Sequence, residues 1–278
     1  MPLPTRFLPR LAAAAGAWCC AGAAVAQMPS WAPETPRVIE DRLRAEVLVF
    51  GAQIDTTLRL DPSLAVQGTP LDAEHDLGLD DSKLLTQAEI TLLPGERHLV
   101  RLSGMSVSRS AQTLLERDIV FDQEIYRANE RVDSELDLVT VGLTYGFRFV
   151  ARERGEFTGT FGIQVVSVEA NAVVRSRVIR EAESGVAPLP LVGLEGRFDF
   201  TERMSAEARL QYLSARLDDV EGSIVDARTA VSWRLNPHMV FGLGWRHLSF
   251  DIDSQDQGTP GYVDLTISGP LLFVRASL

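Results

Sequence analysis

The sequence predicts an all-β chain that closes into an antiparallel transmembrane barrel of about ten strands. Three observations carry that prediction. Val139 to Phe149 alternates strictly: Val139, Val141, Leu143, Tyr145, Phe147 and Phe149 share one face of an extended strand, and Thr140, Gly142, Thr144, Gly146 and Arg148 share the other. After the turn Arg152-Glu153-Arg154-Gly155 the alternation resumes, with Phe157, Gly159, Phe161, Ile163 and Val165 opposite Thr158, Thr160, Gly162 and Gln164. Second, after residue 26 no run of ~18 apolar residues occurs, so no transmembrane helix is encoded. Third, short turns (94–97, 151–155, 201–203, 236–238) alternate with long polar connections (61–82, 109–135, 171–187, 253–260). That asymmetry matches short periplasmic turns and long extracellular loops.

Residues 1–26 read as a secretory signal peptide. Arg6 and Arg10 supply a positive start, Leu11 to Ala24 an apolar stretch, and Ala24-Val25-Ala26 a cleavage site. Both cysteines, Cys19 and Cys20, fall inside it, so the exported chain must be held by packing and backbone pairing instead of disulfides. Removing the signal leaves 25 basic and 38 acidic residues, a net charge of 25 − 38 = −13, which argues against a nucleic-acid partner. Residues 27–41, with Pro29, Pro33 and Pro36, form a periplasmic lead-in, and 42–278 is the barrel.

Along the barrel, the first strand places Leu48, Phe50, Ala52, Ile54 and Leu58 on one face and Gln53, Asp55, Thr57 and Arg59 on the other. The acidic, turn-rich stretch Gly68–Asp81 is expected outside the membrane. Leu84–Leu92 and His98–Ser106 flank the turn Pro94-Gly95-Glu96-Arg97. Arg109–Glu135 is expected to be a long loop with its own hairpin around Ile119, Phe121 and Ile125, and Arg175–Gly185 a second loop. Later strands set Leu194 and Phe198 against Glu195 and Arg197, then Leu210 and Tyr212 against Glu207 and Arg209. Val231 and Trp233 then oppose Asp226 and Arg228, and Phe241, Leu243 and Trp245 oppose Arg246. Leu272, Val274, Ala276 and Leu278 close the chain on one face. The count is eight if the first pair is misread, and twelve if the pieces near 71–77 and 117–126 also cross.

The apolar faces are expected to meet hydrocarbon, with Tyr145, Tyr212, Trp233 and Trp245 as an aromatic girdle. The inward set is charged with both signs: Asp55, Arg59, Glu89, Arg101, Arg148, Glu195, Arg197, Glu207, Arg209, Asp226, Arg228, Arg234, Arg246 and Arg275. About ten strands enclose little more space than side chains fill, so these ions should plug the lumen; a narrow channel is the competing expectation. Two stretches break phase. Val263, Leu265 and Ile267 are odd-numbered while Leu272–Leu278 are even, and Leu248, Phe250 and Ile252 are out of step with Phe241–Trp245. Either a bulge near Ser268-Gly269-Pro270 or a strand projecting beyond the membrane would explain them.

Candidate chemistry is sparse. No phosphate-binding loop, zinc motif or dinucleotide fingerprint occurs, and no cofactor is expected. His247 and Ser249, two apart on a strand, could pair as base and nucleophile. The tripeptide His247-Leu248-Ser249 resembles the His-x-Ser arrangement of small-barrel lipid A deacylases, departing at Phe250, where that family has Asn; Asp264 is the nearest acid. Asp72, Glu74, Asp76, Asp80 and Asp81 are oxygen ligands at a spacing unlike an EF-hand, so they make a weak Ca²⁺ candidate against an acidic solvated loop. The Asp/His dyads of ten-stranded omptin proteases find no matching motif around His75 or His247.

Four stretches carry a wider resemblance: Gly68-Thr69-Pro70-Leu71-Asp72 to Asp76-Leu77-Gly78-Leu79, Pro94-Gly95-Glu96-Arg97-His98, Val141-Gly142-Leu143-Thr144-Tyr145, and Ser268-Gly269-Pro270-Leu271-Leu272. In them the chain resembles the uncharacterised exported β-barrel proteins of proteobacterial outer membranes. That resemblance implies the outer membrane, contact with its lipid and lipopolysaccharide, and recognition of the last strand by the barrel-assembly machinery; the chain departs from it by ending in Leu278 instead of Phe. It implies no particular activity and leaves the oligomeric state open. The sequence favours a structural or surface-interaction barrel over a lipid A-modifying enzyme or a narrow channel.

Overall fold

The computed structural model describes residues 42–63, 66–121, 124–174, 179–217, 220–255 and 260–278. The signal peptide and lead-in expected at 1–41 lie outside these residues. In chain order the strands are β1 (Leu43–Leu60), β2 (Leu71–Asp72), β3 (Ser82–Leu92), β4 (His98–Leu114), β5 (Ile119–Phe121), β6 (Glu124–Tyr126), β7 (Arg131–Arg152), β8 (Gly155–Val174), β9 (Ile179–Asp199), β10 (Met204–Leu217), β11 (Val220–Asn236), β12 (Met239–Ser254) and β13 (Gly261–Ser277). Ten of them form a ring in which each long strand pairs antiparallel with the next, and β13 pairs with β1 from Arg44↔Ser277 to Leu60↔Gly261. Closure pairs the two strands that would otherwise be open edges. The two-residue β2 adds to β1, and β5 with β6 makes the hairpin expected between 109 and 135.

Strict alternation gives the wall two faces. On β7 the exposed side chains are Val139, Val141, Leu143, Tyr145, Phe147 and Phe149, and Thr140, Thr144 and Arg148 are buried. The same outer surface carries Leu102, Phe161, Leu194, Leu210, Trp233, Leu243, Trp245 and Leu272. These exposed residues form a continuous apolar belt next to the short turns.

The strands are longer than that belt. β7, β8 and β9 run for 22, 20 and 21 residues, whereas ~9–11 tilted residues cross a hydrocarbon layer. Beyond the belt the pattern inverts. On β12 the buried residues Leu248 and Phe250 face in, while His247, Ser249 and Asp251 face out. On β13, Leu265, Ile267 and Leu271 face in and Asp264, Thr266 and Ser268 face out. β7 repeats this with Leu138 inward and Glu135 outward. Near the short turns the barrel is apolar outside; near the other end it is apolar inside.

This inversion corrects the reading of the first strand. Leu48, Phe50, Ala52 and Ile54 are at most 4% exposed and face the lumen, and Asp55 faces out. Arg59 pairs with Asp61 (Nε–Oδ1 2.8 Å) where the strand ends, away from the ionic interior. The cause is Glu46, which shares parity with Leu48: a carboxylate at belt level must face the lumen, and it takes the whole even-numbered set with it. Val47 and Val49 then line the outside. No bulge occurs at 268–270. The β12–β13 ladder keeps one register from Met239↔Ala276 to Ser254↔Gly261, so the projecting-strand alternative is the one that fits. The irregularities that do occur, at Arg148/Val150 and Arg234/Asn236, sit beside short turns. The loop expected at 171–187 is mainly strand, since β8 reaches Val174 and β9 starts at Ile179.

Candidate functional site

Among the described residues, the lumen holds most of the buried charge, arranged in tiers. Nearest the short turns, Arg148 meets Glu156 (Nε–Oε2 2.9 Å) and donates to the Glu96 carbonyl (2.7 Å), and Arg197 meets Asp199 (3.1 Å). The next tier contains two balanced quartets. In the first, Arg101 grips Glu195 with both Nη atoms (2.5 and 2.8 Å) and Arg209 grips Glu89 likewise (2.8 and 3.1 Å). Cross contacts Arg101–Glu89 (3.5 Å) and Arg209–Glu195 (3.4 Å) complete it. In the second, Arg275 bonds Glu207 twice (2.9 and 2.7 Å) and Glu46 once (2.7 Å), and Arg228 meets Glu46 at 2.6 Å. Each quartet has two positive and two negative groups. Fork-on-carboxylate pairing of this kind offsets the desolvation that isolated buried charges would suffer.

One tier higher, Arg246 holds Asp226 through two bonds (3.1 and 2.8 Å) and also bonds Gln87, whose amide donates to Glu89 (2.9 Å). Above it the lumen turns apolar, with Leu48, Phe50, Ile54, Leu85, Met105, Val107, Leu138, Leu248, Phe250 and Ile267 in one cluster. Aromatic rings join the two regimes. The Phe273 ring has Arg228 Cζ at 4.7 Å and Arg275 Cζ at 5.0 Å from its centroid, and Phe50 has Arg246 at 5.5 Å. Gly242 makes room for this stack, because a Cβ there would lie 2.2 Å from the Phe273 ring.

Two cavities lie among the described residues of the lumen. One of about 80 Å³ is lined by both quartets, and one of about 20 Å³ lies beside Gln211 and Asp226. Arg228 Nη2 at the first and Gln211 Nε2 at the second have no hydrogen-bond partner among the described residues. Both spaces are polar and wide enough for water. Neither is a bore through the barrel, because the apolar cluster lies across the axis beyond them.

A cap closes the far end. Arg109 Nη2 donates to Thr56 Oγ1 (2.9 Å), its Nη1 to Glu74, and Glu74 accepts the Thr56 amide (2.8 Å). Leu71, Leu115, Ile119 and Val132 pack as a second small core, with Leu58 and Leu77 against it. Arg117 binds Asp76 (2.6 Å) and the Pro70 carbonyl (2.9 Å). Partial burial works to raise the Asp76 carboxyl, but the bonds from Arg117 and the Asp72 amide outweigh it and hold the group below its ordinary value.

Three of the acidic residues considered for Ca²⁺ have partners within the protein. Glu74 and Asp76 serve the cap, Asp72 accepts the His75 amide (2.8 Å), and Asp80 and Asp81 are exposed. Among the described residues no group of three or more His, Cys, Asp or Glu is placed to hold a metal. His247 and Ser249 do share the outer face, in successive rows above Trp245, but no hydrogen bond joins them among the described residues. Asp264 lies opposite Asp251, one row further on. Burial, then Asp264, Asp253 and Glu221, push the Asp251 carboxyl above its ordinary value. This face gathers the acids Asp251, Asp253 and Asp264. Sequence reasoning missed Glu46, Glu156 and the Glu74–Arg109 pair; for Glu46 the parity with Leu48 was the available signal.

The fold and the filled lumen define the class: a closed ten-stranded barrel of the outer-membrane type. No model of a known protein family matches the chain, and a search of curated proteins finds no match. Among solved structures it is similar to the outer membrane protease OmpT from Escherichia coli, at 10% identity and a TM-score of 0.53 over 88% of this chain and 99% of that one. It also matches the transport unit of the autotransporter AIDA-I from Escherichia coli (9% identity, TM-score 0.46, 89% and 94% covered). A third match is the attachment invasion locus protein Ail of Yersinia pestis (11%, 0.38, 85% and 99%). At these identities the likeness to OmpT shows a shared fold and nothing finer.

Proposed function

We propose that the chain is an outer-membrane barrel with a sealed lumen, serving a structural or surface-interaction role through the wall and cap that project from the membrane. The observation that supports this most is the pair of opposed fillings, balanced ion quartets below and an apolar core above. Neither leaves a wet path, and the projecting wall is polar outside like that of a soluble protein. In this reading the short turns are periplasmic and the cap is extracellular. The partners are outer-membrane lipid, lipopolysaccharide and, during biogenesis, the assembly machinery acting on β13. Planar-bilayer recording of purified protein tests it: no unitary current is expected, and a stable ion-selective current would overturn the sealed lumen.

A lipid-modifying role is the competing proposal, favoured by the outward placement of His247 and Ser249 just above Trp245. Lipid A mass spectra from cells with and without the protein separate the two. An acyl count that changes with wild type and not with Ser249→Ala would establish the enzyme, and unchanged spectra dispose of it.

A further inference from the structure

The wall of the barrel has one weak seam. The β3–β4 ladder stops at Gln87↔Met105, although β4 continues to Leu114 and pairs with β7 all the way to Leu114↔Arg131. β3 continues too, but pairs only with β1, as far as Gln53↔Ser82. Among the described residues no backbone hydrogen bond reaches the β3-facing edge of β4 beyond Met105; side chains span the gap instead. Lys83, the single lysine of the chain, reaches from the inner side of β3 to the Ser108 carbonyl, and Arg109 meets Glu74 above it.

The place of this gap is informative. Its base lies where the apolar belt ends: Leu102 on β4 belongs to the belt, and the next outward residues, Gly104 and Ser106, are small. Behind it stand Leu85, Met105 and Val107, members of the apolar lumen cluster. A wall without ladder bonds opens at less cost than a paired one, and at an interface the freed amides can meet water or headgroups. The base of the seam thus meets the edge of the apolar belt, its inside is apolar, and Lys83 stands at its flank.

We propose that the β3–β4 seam is a lateral opening through which the apolar chain of a membrane lipid with an anionic headgroup enters the upper lumen, with Lys83 meeting the headgroup. The inference rests on the membrane placement proposed above. Lys83 exchanges the Ser108 carbonyl for the anionic oxygen, and the chain packs beside Leu85, Met105 and Val107. No covalent step is involved.

The test is photolabelling in phosphatidylethanolamine vesicles that contain a small fraction of phosphatidic acid with a diazirine at the end of one chain. The control is phosphatidylcholine with the same photoreactive chain. Peptide mapping should find label on the inward residues Leu85, Met105 or Val107. Phosphatidic acid should exceed phosphatidylcholine by about fivefold there, the factor one partly exposed ion pair supplies, and Lys83→Met should equalise the two. Label confined to outward belt residues such as Leu102 and Val141 would overturn the seam while leaving the membrane placement standing. Equal interior labelling by both headgroups in wild type would also overturn the proposal as stated. Label on neither face would refute the membrane placement itself.

Discussion

The two ends of this barrel use the same alternation in opposite senses. Near the short turns, odd-numbered β13 residues such as Arg275 carry charge inward, and even-numbered ones such as Val274 carry hydrocarbon outward. Ten residues along the same strand, Leu265 faces in and Asp264 faces out, with no bulge between. Backbone parity is therefore constant and the environment changes. A wall between lipid and a polar lumen becomes a wall between water and an apolar core, and the change of solvent is written in side chains alone.

That comparison can be broken at several points. The largest effect should come from the ionic end. Arg275→Met takes both of its bonds from Glu207 and leaves Glu46 to Arg228 alone, and a buried carboxylate uncompensated in this way costs ~3–5 kcal/mol, read as a lower urea midpoint in detergent or bilayer refolding. Replacing Glu207 as well, by Gln, leaves Arg228 balanced by Glu46 and should recover much of the loss; failure to recover any would mean that packing and not charge pairing holds this tier. At the apolar end Phe50→Ala removes a fully buried ring and should cost ~3–5 kcal/mol, or slightly less if water fills the space.

Next comes the outer wall, where the two regimes make opposite forecasts for one chemical change. Val141→Arg or Leu243→Arg should destabilise by ~2–4 kcal/mol, as a guanidinium placed against hydrocarbon does, whereas Thr266→Arg should cost ~0–1 kcal/mol. Equal penalties at all three would erase the boundary. The smallest effect concerns the acid row. Asp251 titrates above its ordinary value, so its charge opposes folding at neutral pH, and that opposition fades as pH falls through its raised value. Asp251→Asn should then stabilise by ~0.5 kcal/mol or less at pH 7, with the advantage vanishing in acid.

How far these features could be read from sequence depends on whether a strand declares its own phase. Over Val139–Phe149 of β7 and Phe157–Val165 of β8 one face is apolar or Gly and the other holds only Thr, Gly, Gln or Arg, so orientation follows from alternation there. β1 is apolar on both faces from Val47 to Ala52, and hydrophobicity gives no phase there; Glu46, at belt level, supplies it. Leu248, Phe250, Leu265 and Ile267 are out of step only for a strand that meets one solvent along its whole length. The ring order followed from the turn lengths. The pairing of Arg101 with Glu195 or Arg209 with Glu89 did not, since it depends on which sides of a closed cylinder face each other across the lumen. The Glu74–Arg109 cap and the β3–β4 seam likewise depend on register, which a single sequence does not disclose at a frayed strand end.

The most direct measurement is a spin-label scan of β12 in bilayers, made simple because residues 42–278 contain no cysteine. Labels at Phe241, Leu243 and Trp245 should be open to oxygen from the lipid, those at Ser249 and Asp251 open to an aqueous nickel complex, and those at Leu248 and Phe250 closed to both. If Ser249 and Asp251 behave as lipid-exposed sites, or Leu248 and Phe250 meet lipid in their place, the inversion of the wall is contradicted.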